Sequence, residues 1–230
     1  MVNLLAFDTS TEYLSLAIQK GSEIFNFNAN VGQTHSQLIL PKIQALLDEA
    51  HLTLNALNGI AFGAGPGSFT GVRIAAGVAQ GLAYGADLPV ASVCTLQALA
   101  EASGADKVIA CIDARMGEVY FAVYEITAAG WYAVVAPSLH KPDNVPELAG
   151  TNWVGVGSGW QAYDAQLNQA YGAQLSATKP DLRPTAEVML KLAMLEFQAG
   201  RAKPAAQVQP IYIRHRVALK TEEREKGLRL

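Results

Sequence analysis

The sequence has few charged residues and almost no cysteine. Its 17 basic and 20 acidic side chains give a formal net charge of −3 over 230 residues. A chain this mildly acidic is not held on nucleic acid by phosphate neutralisation alone, and its 50% apolar content excludes a disordered protein. Cys94 and Cys111 lie in apolar runs without CxxC spacing, so we expect buried, reduced thiols.

Recognisable catalytic and metal-binding patterns are missing as well. None of the four histidines forms an HxxxH or HExxH pair or lies near a cysteine, so a zinc or iron site of familiar pattern is not expected. The sequence also has no GxSxG nucleophile elbow and no GxxxxGK[ST] phosphate loop. We therefore predict no catalytic residue and no metal ligand.

Long hydrophobic runs are absent too. The longest stretch without a charged residue, 50–72, contains a histidine, two asparagines and a proline, so no membrane span is predicted. The N-terminus carries no basic leader, and Asp8 interrupts the run where a signal peptide needs apolar residues. We expect a cytoplasmic protein.

The order of the apolar runs predicts strands that alternate with helices. A hairpin is expected from 4–7 and 14–18, a short buried strand at 59–63 and a helix at 71–85. His35 is expected to lie at a helix start, as a capping or surface residue. That helix is predicted to run from a capping box at Thr34 and Gln37 to Ala50, with a bend at Pro41.

The second half of the sequence repeats the order of the first. With an offset of 105 residues, DTSTEYLSLAI lies over DARMGEVYFAV, and GIAFGAGPGSF has its counterpart in WVGVGSGWQAY. We predict an α/β protein with a duplicated unit, divided into domains 1–103 and 104–216 and a basic, flexible tail 217–230. A helix at 185–199 is expected to close the second domain.

Two segments of the first half offer groups that suit an anion. An aspartate followed by small hydroxyl residues ends the first strand, and the loop AGPGSFTG precedes a helix. Asp and Thr equally fit an ordinary turn, and the second hairpin turn, with Arg115, Met116 and Glu118, is crowded for a triphosphate. The possible, vestigial nucleotide contacts are Asp8, Thr9, Ser10, Gly65, Gly67, Ser68 and Asp113.

The helix after the glycine loop has one smooth face. Gly77, Gly81 and Gly85 recur at four-residue spacing, with alanines at the same spacing beside them. Each interior glycine costs about 0.5–1 kcal/mol relative to alanine, so a closely packed neighbour is expected to offset the loss. That neighbour is either a helix of the same chain or a helix of a partner, with Arg73, Gln80 and Tyr84 suited to an interface rim.

Four segments together carry a family resemblance. They are FDTSTEYLSLAI, THSQLILPKIQALL, GAGPGSFTGVRIAAGVAQGLA and CIDARMGEVYFAVY, supported by GVGSGW and PIYIR, and they span residues 4 to about 216. The sequence resembles the TsaB family, formerly YeaZ. The resemblance implies two ribonuclease-H-like domains in tandem, as in actin, Hsp70 and sugar kinases, with a degenerate second copy.

The resemblance also implies a function in tRNA threonylcarbamoyladenosine synthesis. TsaB-like chains are non-catalytic partners and activators of TsaD, which carries an HxxxH metal motif, and the ATPase TsaE joins them. This chain has Ile39 where a second histidine would follow His35. The resemblance implies no required cofactor, with ATP or ADP possible in the complex, a homodimer when the chain is alone, and tRNA contact only through the complex.

The family's pairing surface lies on helices that correspond to 34–50 and 71–85. The interface residues expected from it are His35, Leu38, Ile39, Arg73, Ala76, Gly77, Gln80, Gly81 and Tyr84. Residues 214–230 hold six basic and three acidic side chains, whereas residues 1–213 have a net charge of −6. We interpret this basic tail as a solvated terminus rather than as a contact with a partner or RNA.

The sequence leaves two other functions open. An ATP-dependent phosphotransferase or ATPase of the actin-like fold would use Asp8 and Asp113 around Mg-ATP, and the crowded second turn argues against it. A glycoprotease-like metallopeptidase is weaker, because the metal-ligand spacing is absent.

Overall fold

The computed structural model describes residues 2–214, which form two five-stranded mixed sheets with helices on their faces. The first sheet has the order β3-β2-β1-β4-β5. Strands β1 to β3 form an antiparallel meander, and β4 and β5 add in parallel to β1. These strands are β1 (Asn3–Asp8), β2 (Tyr13–Lys20), β3 (Glu23–Asn30), β4 (Gly59–Gly65) and β5 (Val90–Cys94).

The second sheet repeats this topology. Its order is β8-β7-β6-β9-β10, with an antiparallel meander followed by parallel β9 and β10. The predicted duplication is therefore present in the topology, and the α/β fold class is confirmed. These strands are β6 (Lys107–Arg115), β7 (Glu118–Thr127), β8 (Gly130–His140), β9 (Trp153–Val156) and β10 (Leu175–Lys179).

Six α-helices within residues 2–214 cover the sheets. The first two, α1 and α2, share one face of the first sheet, where alternate strand residues such as Leu5 and Phe7 meet Ile39, Ile43 and Ala79. In the second half the equivalent helical layer is shorter, since only four residues follow β9 in α4. The helices are α1 (His35–Glu49), α2 (Phe69–Ala86), α3 (Thr95–Ser103), α4 (Gly159–Ala162), α5 (Asp164–Tyr171) and α6 (Ala186–Gln198).

The position of α6 corrects one expectation. We expected this helix to close the second domain, but it packs on the first sheet, where Met189 and Ala193 contact Leu4 and Ala6 on the face opposite α1 and α2. Its first N–H is satisfied there, because Ala186 N donates to Ser15 Oγ at 2.7 Å. We call the first sheet with α1, α2 and α6 the first lobe, and the second sheet with α4 and α5 the second lobe.

The helix α3 lies between the two lobes. It ends at Ser103, and the chain enters the second sheet at Lys107. Leu96 and Leu99 of α3 pack against strands of the second lobe, while Ala98 contacts the cluster beneath α6. The predicted division at 103/104 thus falls where the chain changes sheet, and the tail 217–230 lies outside the described residues.

Local details of α1 and the cysteines differ from the expectations. No side chain caps α1, because Thr34 Oγ1 donates instead to Val31 O at 2.8 Å, so the capping box is not formed. The helix continues through Pro41. Cys111 is buried as predicted, but Cys94 at the end of β5 is only partly buried. Both are free thiols, and burial raises the pKa of each.

No helix within 2–214 combines the length and apolar character needed to cross a bilayer.

Candidate functional site

The glycine-rich loop packs directly against the turn of the first hairpin. Ser68 N donates to Ser10 O at 2.8 Å, and Thr9 Oγ1 donates to Gly71 O at 2.7 Å. A Cβ on Gly67 would lie 2.5 Å from Ser10 O, and one on Gly71 would overlap Thr9 O. These glycines are therefore required by the close approach of two backbone segments of the same chain, which needs no ligand to explain it.

Asp8 is buried behind this turn. Its Oδ1 accepts hydrogen bonds from Ser10 N at 3.0 Å and Ser10 Oγ at 2.8 Å, whereas Oδ2 has no partner among the described residues. Gly63 lies against that oxygen, and a Cβ on Gly63 would overlap it. Burial raises the pKa of Asp8 from 3.8 to about 6, although the Ser10 hydrogen bonds oppose the shift.

Asp113, which lies at the equivalent position of the second hairpin, is fully engaged by its neighbours. Its carboxylate accepts hydrogen bonds from Arg115 N at 2.8 Å and from Tyr163 Oη at 3.2 Å, and it pairs with the Arg115 guanidinium at 3.1 Å. Its backbone N donates to Ser158 Oγ at 3.1 Å. The same strand position therefore has a fully buried, half-satisfied carboxylate in one lobe and a half-buried, paired one in the other.

A cleft of about 970 Å³ separates the two hairpin turns. Four of the seven possible nucleotide contacts line it, whereas Asp8, Thr9 and Gly65 lie behind its wall. The four lining residues are Ser10, Gly67, Ser68 and Asp113.

The cations of the cleft are already paired. Arg115 pairs with Asp113, Arg183 with Glu12 and Arg214 with Glu118, so within 2–214 no unpaired arginine lines it. No group of three His, Cys, Asp or Glu side chains suited to a metal ion occurs in the described part of the chain. These features give little support for a triphosphate and its metal.

The outer face of α2 is open. A Cβ on Gly77, Gly81 or Gly85 would meet no atom within 4 Å, so no helix of the described chain covers the stripe. Tyr84 beside it is 84% exposed, and Leu40 on α1 is 51% exposed. We call this surface the open helix face; it consists of the exposed α2 residues Phe69, Arg73, Gly77, Gln80, Gly81, Tyr84 and Gly85.

The predicted interface residues divide between this surface and the core beneath it. Arg73, Gly77, Gln80, Gly81 and Tyr84 are exposed, and Leu38 is half-buried. The other three are packed inside the chain: His35, Ile39 and Ala76.

His35 has its ring Nε2 3.1 Å from Tyr13 O, so its placement as a surface residue is corrected. Two exposed apolar residues, Leu40 and Phe69, were not among the predicted interface residues. Leu40 carries a usable signal, because it is out of phase with the buried stripe of Ile39, Ile43, Leu46 and Leu47 on the same helix.

Comparisons with known proteins agree with this architecture. A family model described as "TsaD: tRNA N6-adenosine threonylcarbamoyltransferase" matches residues 29–211. The chain is 40% identical to the tRNA threonylcarbamoyladenosine biosynthesis protein TsaB of Escherichia coli K12, over 95% of this chain and 97% of that protein. The TsaB protein of Haemophilus influenzae is also 40% identical, over 95% and 96% of the two chains. The chain belongs to the TsaB family.

A solved structure extends the match to three dimensions. This TsaB-family chain superposes on YeaZ from Pseudomonas aeruginosa with a TM-score of 0.83 at 37% identity, covering 92% of this chain and all of that one. The predicted fold of two tandem ribonuclease-H-like domains is consistent with that superposition and with the TsaD family match across both lobes. The TsaB resemblance drawn from the sequence is thus confirmed.

Proposed function

We propose that this chain serves tRNA threonylcarbamoyladenosine biosynthesis as a non-catalytic subunit that docks a TsaD-like transferase on its open helix face. The observation that carries the proposal is the uncovered glycine stripe of α2. Gly77, Gly81 and Gly85 each lower the stability of the isolated helix, and nothing in the described chain packs on them. A partner helix that packs closely on them offsets the cost.

The chemistry of the face suits a helical partner. Glycines at four-residue spacing let two helix backbones approach closely, as small residues do at tight helix crossings. The exposed Tyr84 and Arg73 at either end supply the aromatic and arginine anchors that dominate binding energy at many interfaces. His35, Ile39 and Ala76 hold α1 and α2 in place from beneath.

The cleft supports the non-catalytic part of the proposal. Asp8, the carboxylate that an actin-like phosphotransferase would use, lies behind the hairpin turn and does not line the cleft. The arginines that do line it are neutralised by carboxylates of the same chain. In this proposal the chain activates its partner by favouring one of the partner's conformations, without supplying catalytic groups.

The rest of the proposed assembly rests on the charge of the chain and on its membership of the TsaB family. Residues 1–213 have a net charge of −6, so we propose that tRNA is contacted through the complex rather than by this chain alone. A TsaE-like ATPase completes the assembly, and the chain pairs with itself when the transferase is missing. This chain requires no cofactor of its own, and ATP or ADP is a possible ligand of the complex. The proposed compartment is the cytoplasm.

The test is Gly81→Leu. A Cβ at this position meets no atom within 4 Å outside its own helical turns, so we expect the monomer to keep its fold, while the leucine side chain holds the two helices apart. We expect the affinity for a purified TsaD-like subunit to fall by at least about 100-fold. Threonylcarbamoyl transfer to tRNA by TsaD and TsaE should fall with it.

Ala165→Leu is the matched control, because Ala165 is an exposed small residue on α5 of the second lobe. It should leave both docking and transfer unchanged. The proposal fails if Gly81→Leu keeps the complex intact on gel filtration. It also fails if the isolated chain hydrolyses ATP, which would favour the ATPase alternative and make Asp8 the first residue to replace.

A further inference from the structure

The last described residues run along the first lobe towards the cleft. We call residues 208–214 the strap. Val208 is buried in the first-lobe core, and its carbonyl accepts a hydrogen bond from Gln80 Nε2 at 2.9 Å. Further on, Ile211 N donates to Ala64 O at 2.7 Å, next to the glycine-rich loop. The strap is therefore fixed to the first lobe up to residue 211.

Three residues later the strap is fixed to the other lobe. The Arg214 guanidinium donates to the Glu118 carboxylate at the start of β7 and to Arg115 O at 3.4 Å. Three extended residues span at most about 10 Å, so the contacts at 211 and 214 limit how far the lobes separate at this point. The Arg214 side chain is 12% exposed, which protects its ion pair from screening by water and salt.

A second ion pair also bridges the cleft, but here the arginine comes from the second lobe and the glutamate from the first. Arg183 follows β10 of the second lobe and pairs with Glu12 in the first hairpin turn, with Nε 3.5 Å from Oε1. Each hairpin turn is thus held by an arginine from a segment fixed to the other lobe. The Glu12 side chain is 49% exposed, against 31% for Glu118, so the strap pair is the better shielded of the two.

The strap also reaches the open helix face. Tyr212 Oη accepts a hydrogen bond from Arg73 Nε at 2.9 Å, and the Arg73 guanidinium lies 3.3 Å from the centroid of the Phe69 ring. Phe69 and Tyr212 are 46% and 48% exposed, so this stack is available to a docked protein. Arg73 lies one helical turn from Gly77, which makes the stack continuous with the glycine stripe.

From these contacts we infer that the strap couples docking on the open helix face to closure of the cleft between the lobes. The inference rests on the proposed function, because it assigns the occupant of that face to the TsaD-like subunit. A partner that packs against Tyr212 and Arg73 stabilises the seated strap, and the seated strap holds Arg214 on Glu118. Binding is therefore tighter to the closed form, and by linkage docking narrows the cleft.

The test combines charge reversal with a distance measurement. Spin labels on cysteines introduced at Ser36 on α1 and Gln166 on α5 report the separation of the lobes in the full chain, since both positions are exposed. Unlabelled chains are used to measure affinity for the TsaD-like subunit. We expect Arg214→Glu and Glu118→Arg each to lengthen and broaden the distance distribution and to weaken docking about 3- to 10-fold. The double swap, Glu118→Arg with Arg214→Glu, should restore both.

The matched control is Arg201→Glu, the same charge change in an ion pair with Glu196 on the surface after α6. It should alter neither the distance nor the affinity. The inference is overturned if the single reversals leave the lobe distance unchanged, or if they widen the cleft without weakening docking. An intact complex with Gly81→Leu would instead overturn the proposed function, and the lobe distances of the free chain are measured independently of that result.

Discussion

The exposed glycines of α2 and the glycines in and after β9 have opposite surroundings. In the first lobe, Gly77, Gly81 and Gly85 on α2 face open space. In the second lobe, a Cβ on Gly155 would overlap the indole ring of Trp160, and one on Gly157 would lie 2.6 Å from Cys111 O. Gly155 and Gly157 have no room for a side chain, because other atoms of the same chain pack against them. The three α2 glycines lack a side chain although no atom of the described chain covers them.

This difference shows how two copies of one topology have diverged. The sheets keep the same strand order, but the segment after β4 forms the 18-residue helix α2, and the segment after β9 forms only the four-residue α4 before α5. In the second lobe Trp160 fills the space beside β9, with its Nε1 donating to Ile109 O at 3.1 Å. The first lobe thus has a long helix with an uncovered glycine stripe, whereas the short segment after β9 packs Trp160 against Gly155.

The largest change in unfolding free energy is expected at Gly155. Gly155→Ala forces the buried Trp160 ring to move, and overpacking of this kind costs about 2–3 kcal/mol of unfolding free energy. Urea denaturation of the variant and the wild type measures the change. Wild-type stability would show that Trp160 shifts freely, and the contrast between the two glycine sets would then be lost.

The two hairpin aspartates also differ in burial, and this difference predicts how the stability of the fold depends on pH. Burial raises the folded-state pKa of Asp8 to about 6 from 3.8, so between these values the folded chain binds a proton that the unfolded chain has released. Stability from this group is therefore highest at low pH and falls as pH rises towards 6. From about pH 4.5 to about pH 8 the loss is about 2 kcal/mol.

Asp8→Asn should remove that loss, which urea denaturation at the two pH values measures directly. Asp113→Asn is the matched control in the other lobe, and it should keep the wild-type difference because Asp8 is still present. Equal pH dependence in Asp8→Asn and the wild type would contradict the role of Asp8 burial.

The smallest effect is expected on the exposed stripe. Gly81→Ala should stabilise the isolated chain by about 0.5–1 kcal/mol, because alanine favours the helix and meets no neighbour. Thermal or urea unfolding of the monomer checks the gain, with Gly155→Ala as the opposite case. A loss of stability at Gly81 would mean that the stripe is packed in solution.

Much of the fold could be predicted from the sequence, because the apolar runs and the repeated hairpin pattern specify the strands. The sequence could not predict which sheet α6 covers. An amphipathic helix with Met189 and Ala193 on its apolar face fits either sheet. The site was predicted in part. Glycine spacing located the α2 face, but the same spacing fits a helix pair within one chain.

The sequence by itself determined the duplicated order of strands, the absence of familiar catalytic and metal patterns, and the positions of the unusual glycines, because these depend on residue type and spacing alone. Only the tertiary structure decided that Asp8 is sealed behind its turn, that the α2 stripe is uncovered, and that Arg214 meets Glu118 across the cleft. Those features depend on contacts between residues far apart in the chain, such as 118 and 214, and no local pattern encodes them.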